Sequence, residues 1–155
     1  MSQPELDNLV RIGQLKAEPR NALEVTRMLA MAQTRLSDAK LNKMSLEGRF
    51  TSAYNAAHAA ALAALRWHGY RSENRYTVFQ CLTHTLGWPA NRWRVLDTAH
   101  PRTQMNLIQK AIICRAGFED IQLKFSCVRG IKNETWLSTK ATSTLKNLPW
   151  PRYAR

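Results

Sequence analysis

Two polar residues stand one turn apart in an alanine-rich helix. The stretch AYNAAHAAALAALRWHGYR, residues 53–71, carries Asn55 and His58 among its alanines. Because residues three apart share a helix face, both side chains point toward the same neighbour. Two interpretations are open. In the first, the two side chains bind each other or a nearby backbone group in a tight helix junction. In the second, they line a cleft between helices and serve as a fallback catalytic pair.

The end of the same helix carries residue types that suit RNA. RWHGYR places Arg66 and Arg71 beside aromatic side chains. Guanidinium groups bind phosphate, and aromatic rings stack on unpaired bases. A helix end followed by a loop produces the same composition, so a purely structural role stays open. The predicted nucleic-acid-binding residues are all basic: Arg66, Arg71, Arg75, Arg92 and Lys124.

The net charge of the chain also favours a polyanionic partner. Of the formal charge of +12, residues 1–100 contribute +5 and residues 101–155 contribute +7. Basic surfaces bind nucleic acids because each neutralised phosphate releases a counterion. There is no phosphate-binding glycine loop, no paired carboxylate motif and no metal-ligand spacing, so no cofactor or metal is predicted.

The three cysteines and the chain's N-terminal residues indicate a reducing compartment. Cys81, Cys114 and Cys127 lack C-x-x-C spacing, and each has apolar neighbours. Buried free thiols are predicted, with a Cys/His nucleophile pair as the alternative. No signal peptide pattern and no apolar run of about 20 residues is seen, which predicts a cytoplasmic protein without a membrane span.

Capping residues and helix breakers divide most of the chain into helices. A short helix is predicted from Pro4, and a longer one with Asn21 as its N-cap. The alanine-rich helix is predicted from Ser45 to about His68, ended by Gly69. Its many small side chains allow close approach by neighbours, which predicts a central position.

Three further helices are predicted downstream. The first is capped by Ser72 and stopped by Gly87, the second runs from Pro89 to Pro101, and the third ends at Gly117. Beyond that point, Ile121 begins an alternation typical of a strand, with a return strand after residue 134. The predicted fold is therefore an all-α antiparallel bundle, residues 1–116, with a basic C-terminal appendage, residues 117–155, that forms a β-hairpin.

The pattern of helices is similar to that of the HEPN superfamily. An amphipathic helix precedes RFTSAYNAAHAAALAALRWHGYR, which is followed by RYTVFQCLTHTLG. The resemblance covers residues 22–101. It implies a helical bundle, a homodimer, metal-independent RNA cleavage, and a toxin or defence role, with a nucleotidyltransferase-type antitoxin as partner.

The resemblance also implies a catalytic pair. In catalytic members an Arg is followed, after four to six residues, by a His. Here RVLDTAH matches with Arg94 and His100. The histidine would take the proton of a ribose 2′-hydroxyl, and the arginine would stabilise the negative charge at phosphorus.

From about Arg102 the sequence departs from the family. A divergent tail and a changed reading frame are the two explanations. The leading functional expectation is an RNA-directed toxin or defence protein that acts as a ribonuclease. The alternative is a non-catalytic helical module, a homodimer that binds a protein or a nucleic acid.

Overall fold

A computed structural model describes residues 3–98 and 113–122 of the chain. Among the predicted functional residues, His100 and Lys124 lie outside these ranges, as does Cys127. The predicted strands lie outside them too, except for their first two residues, 121 and 122.

Helices dominate the described residues. In chain order the elements are α1 (Gln3–Arg11), β1 (Lys16–Ala17), α2 (Ala22–Ala39), α3 (Leu46–Trp67), β2 (Tyr70–Arg71), α4 (Arg75–Gln80), α5 (Leu82–Leu86) and α6 (Ala90–Thr98). Residues 113–122 are also helical. The all-α class is confirmed, with one short antiparallel strand pair added; the antiparallel order of the bundle and the C-terminal hairpin stay predictions.

Local caps set the ends of the two long helices as predicted. Asn21 Oδ1 accepts hydrogen bonds from the amides of Leu23 and Glu24 at 3.0 and 3.1 Å. Ser45 Oγ accepts one from the amide of Gly48 at 3.1 Å. These bonds satisfy amides that have no partner within the helix. Gly69, with φ +86°, takes the left-handed conformation that ends α3.

The predicted helix capped by Ser72 is wrong in two respects. Asn74, not Ser72, caps α4, because its side chain accepts from the amides of Tyr76 and Thr77. Ser72 Oγ instead donates to the carbonyl of Gln14 at 3.1 Å, tying the α4 entry to the segment after α1. The predicted single helix is also divided at Cys81 into α4 and α5.

Helix α3 lies at the centre of the fold. It packs along α2 and also contacts α4, α5 and β2. Small side chains permit this because they let neighbouring backbones approach from several sides. Its alanines with at most 6% exposure are Ala53, Ala56, Ala57, Ala59, Ala60, Ala61, Ala63 and Ala64. Bulk comes from the neighbours, for example Leu36 of α2 and Phe79 of α4.

The helix of residues 113–122 corrects the predicted stop at Gly117 and the predicted strand start at Ile121. Cys114, Phe118 and Ile121 are fully buried in the common core at spacings of four and three, which is a helical period. Gly117 permits close packing, since a Cβ there would lie 2.5 Å from Leu96 Cδ2.

Enlarging a central alanine is expected to destabilise the protein. Ala57→Leu or Ala60→Leu forces extra volume into a filled helix junction and costs about 1–3 kcal/mol of unfolding free energy. Urea unfolding followed by circular dichroism measures this. Ala30→Leu, at an exposed position of α2, is the matched control and is expected to change little. Equal stability of all three variants would contradict the central position of α3.

Candidate nucleic-acid interface

Asn55 is hydrogen bonded to an arginine of the next helix. Arg75 Nη1 donates to Asn55 Oδ1 at 3.1 Å. The same guanidinium lies over the Tyr54 ring, with its carbon 5.5 Å from the ring centroid. The Asn55 oxygen thus binds a side chain from the start of α4. It does not bind His58, so the interpretation in which Asn55 and His58 bind each other is excluded.

His58 lies in an apolar setting next to this cluster. Its ring meets Phe79 edge-on at 5.8 Å, and its Nε2 atom is buried with no hydrogen-bond partner among the described residues. Burial lowers the pKa of His58 to about 4, with smaller contributions from the charges of Arg75 and Arg35. The imidazole is therefore neutral at pH 7. Its buried nitrogen is not offered to a substrate in this arrangement, so the geometry favours a packing role.

The buried imidazole makes stability depend on pH. The folded state binds the His58 proton only below about pH 4, whereas an unfolded histidine binds it below about 6.5. Stability should therefore be lost as pH falls from about 6.5 to 4, by up to about 3 kcal/mol for this group. His58→Gln should flatten that part of the curve, as measured by urea unfolding at several pH values. An unchanged pH slope in the variant would show that His58 is not responsible.

Arg66, which the sequence predicts to bind RNA, is bonded to groups of the protein itself. The residue is only 3% exposed, because its guanidinium turns back onto the segment before α2. Its Nη2 atom lies 2.7 Å from Glu24 Oε2 and 3.2 Å from the carbonyl of Pro19. Its Nη1 atom lies 3.4 Å from Glu18 Oε2. With its donors used internally, the guanidinium is not available to a phosphate.

The hydrogen bond from Arg66 also lowers the pKa of Glu24 and keeps that carboxyl ionised. This contact fixes the end of α3 to the start of α2. We call Arg66, Glu18 and Glu24 the arginine clamp. Because Glu24 keeps about a third of its side chain in water, the clamp is only partly screened from solvent.

Removing the clamp arginine should destabilise the fold. Arg66→Ala removes the donor to the Glu24 carboxylate and to the partly buried carbonyls of Glu18 and Pro19, and is expected to cost about 2–3 kcal/mol, less than for a fully buried ion pair. Arg71→Ala is the control, since its half-exposed side chain reaches only Glu18, at 3.7 Å, and should cost under about 0.5 kcal/mol. Thermal unfolding compares the two. Equal losses would contradict a structural role specific to Arg66.

The remaining predicted arginines differ in whether a carboxylate of the protein pairs with them. Arg92 Nη1 lies 2.8 Å from Asp120 Oδ2, so its charge is paired. Arg75 and Arg94 are exposed and form no ion pair within the described residues. The guanidinium carbon of Arg94 lies 5.5 Å from the centroid of the Trp93 ring.

Tyr76 and Trp93 join the two helices that carry these arginines. Tyr76, next to Arg75, packs edge-on against Trp93 with ring centroids 5.5 Å apart. Trp93 in turn lies beside Arg94. We call Arg75, Tyr76 and Arg94 the α4–α6 surface. Within the described residues neither guanidinium has a carboxylate partner, Arg75 is bonded to Asn55, and Tyr76 is 46% exposed.

A polar cleft of about 550 Å³ lies on the other side of Tyr76. It is lined by residues 13–16, residues 71–74, and Tyr76, Thr77 and Gln80 of α4. Pairing of Lys16 with Arg71 across β1 and β2 brings two basic side chains to its rim. Sequence reasoning missed this cleft and Tyr76, because neither the strand pairing nor the Ser72–Gln14 bond has a local signature.

The cysteines that the structure describes are unsuited to nucleophilic chemistry. Cys81 and Cys114 are buried, as predicted, and neither forms a disulfide within the described residues. Burial raises the pKa of Cys81 to about 12, so its thiol stays protonated at pH 7. Among the described residues, no three His, Cys, Asp or Glu side chains form a group that could hold a metal ion.

Comparison of the chain with family models, curated proteins and solved structures finds no match. None of these comparisons shows a relationship to the HEPN superfamily, so membership of it stays a prediction from the sequence. Within the described ranges, no helix has both the length and the hydropathy needed to cross a membrane.

Proposed function

We propose that this chain is an RNA-directed protein of the HEPN toxin or defence type. The observation that carries the proposal is the α4–α6 surface. It carries two guanidinium groups that have no carboxylate partner within the described residues, together with an exposed tyrosine, a combination suited to phosphate contact and base stacking in single-stranded RNA. The net charge of +12 supplies long-range attraction.

The contrast with other arginines supports this surface over the rest of the molecule. Arg66 and Arg92 bind carboxylates of the chain itself. An arginine held by a carboxylate at short range in a partly buried position gains little from a phosphate, because it must first give up that partner. Within the described residues Arg75 and Arg94 have no carboxylate partner, so they avoid this cost; Arg75 has its bond to Asn55 to share or replace.

Ribonuclease activity is the catalytic form of the proposal. Arg94 would stabilise the charge at phosphorus, and His100 would act as the general base. In that form the protein works without metal as a homodimer in the cytoplasm, and a nucleotidyltransferase-type antitoxin controls it. The exposed position of Arg94 on α6 suits contact with a substrate.

RNA binding by the α4–α6 surface can be measured by fluorescence anisotropy with a labelled single-stranded RNA over a range of salt. Arg75→Gln and Arg94→Gln should each weaken binding and reduce the salt slope by about 1, as loss of one phosphate contact does. Arg27→Gln, at an exposed position of α2, removes the same charge elsewhere and serves as control. Equal loss in all three variants would show that only net charge matters.

The catalytic form makes a separate prediction. RNA cleavage should persist in EDTA and be abolished by His100→Ala, while RNA affinity stays nearly unchanged, because a general base acts in the transition state. Arg94→Ala should reduce both cleavage and affinity. Gel analysis of RNA with purified protein gives the result, and full cleavage by His100→Ala would remove His100 from the mechanism.

The competing proposal is a non-catalytic homodimer that binds a partner. It is favoured by two large apolar side chains exposed on α2, Leu23 at 59% and Met31 at 48%. A protein that forms dimers in sedimentation experiments, and neither binds nor cleaves RNA in the assays above, would support this proposal over the first.

A further inference from the structure

The cleft beside Tyr76 is a preformed cavity whose two walls are held by several bonds. Residues 14–18 and 69–74 are joined by the β1–β2 pair, by the Ser72 hydroxyl and by the amide of Glu18, which donates to the carbonyl of Gly69 at 3.0 Å. Leu15 and Thr77, both 3% exposed, close the bottom. Its volume of about 550 Å³ falls in the range of about 300 to 1,000 Å³ that is typical of small-molecule sites.

The groups around the cleft differ in chemistry from one end to the other. Tyr76 contributes a partly exposed aromatic ring, and Gln80 contributes an amide that can donate and accept hydrogen bonds. Arg71 and Lys16 provide cations, although Glu18 lies 3.7 Å from Arg71 and Glu73 lies 3.0 Å from Lys16. Both ion pairs are half exposed or exposed, where such pairs are weak, so a phosphate can replace the carboxylate. An aromatic ring, an amide and a pair of cations correspond to the base and the phosphate of one nucleotide.

We propose that this cleft binds one unpaired nucleotide of a single-stranded RNA, with the base against Tyr76 and the phosphate between Arg71 and Lys16. The inference rests on the proposed RNA-directed function and adds a specific subsite to it. Tyr76 belongs both to the cleft and to the α4–α6 surface, so a strand that follows Arg94 and Arg75 reaches the cleft without leaving the protein.

Glu73 gives the site a distinctive electrostatic feature. Its carboxylate lies 3.0 Å from Lys16 Nζ, and the hydrogen bond and charge of Lys16 lower the Glu73 pKa, so the carboxylate is ionised at pH 7. Glu73 therefore holds one of the two rim cations and repels a phosphate. Neutralising Glu73 should tighten nucleotide binding, whereas neutralising Arg71 should weaken it.

The experiment is titration of the full chain with AMP, followed by NMR or calorimetry. Glu73→Gln should bind AMP about two- to fivefold more tightly, and Arg71→Gln should bind it more weakly by a similar factor. Tyr76→Leu should lose at least about fivefold, and Tyr76→Phe should bind as the wild type does. Arg27→Gln is the control for net charge. Ribose 5-phosphate, which lacks the base, should bind more weakly than AMP to the wild type.

The outcomes separate the cleft from the wider function. No AMP binding by the wild type, or equal binding of ribose 5-phosphate with no effect of Tyr76→Leu, would overturn the nucleotide site. If RNA binding by anisotropy persists in that case, the proposed function stands without the subsite. If AMP binds and RNA does not, the RNA-directed function is wrong and the cleft is a site for free nucleotides.

Because Tyr76 packs on Trp93, a loss of fold in Tyr76→Leu is checked by its melting temperature. The test then stays decisive through Glu73 and Arg71, whose side chains are exposed or half exposed at the rim. Opposite shifts in AMP affinity for these two variants support the site. Shifts of the same sign, or none, overturn it.

Discussion

Close approach of neighbouring elements to α3 is the constraint on which the rest of the structure depends. A helix with bulky side chains would keep α2, α4, α5 and β2 farther from its backbone. With eight buried alanines, α3 admits all of them, and their larger side chains fill the space. The position of Arg75 beside Asn55, and so the start of the α4–α6 surface, follows from this close packing.

The arginine clamp extends the same order to the N-terminal part of the chain. Arg66 leaves the end of α3 and binds groups at residues 18–24, and Tyr70 donates to Asp7 at 2.6 Å. These contacts hold the segment with β1 against β2. This segment forms one wall of the cleft. Arg66, which the sequence predicts to bind RNA, therefore helps to hold that wall in place.

Prediction from sequence succeeded where the signal is local. Asn21 and Ser45 cap helices through bonds to amides two or three residues away, and Gly69 ends α3 through its own backbone conformation. It failed where two signals compete. Ile121 alternates with polar neighbours in a strand-like way, yet Cys114, Phe118 and Ile121 also repeat at helical spacing, and burial decided for the helix.

The candidate site was less predictable than the fold for a related reason. An arginine in a basic, aromatic stretch has the same appearance whether its partner is a phosphate or a carboxylate distant in sequence. Glu24 is 42 residues from Arg66, and Asp120 is 28 residues from Arg92. Arg75 and Arg94 have no described carboxylate folded against them, and Arg75 binds the neutral side chain of Asn55 instead. Only the tertiary arrangement separates the two groups of arginines.

The alanine surface of α3 also restricts how this sequence can change during evolution. Most cores accept substitutions in both directions, since a loss of volume in one residue can be offset by a gain in another. Only glycine has a smaller side chain than alanine, and it costs about 1 kcal/mol in helix propensity. Every other side chain except those of serine and cysteine is much larger than that of alanine. Variation should therefore concentrate on the elements around α3, whose bulky side chains can exchange volume with one another while the central helix stays nearly constant.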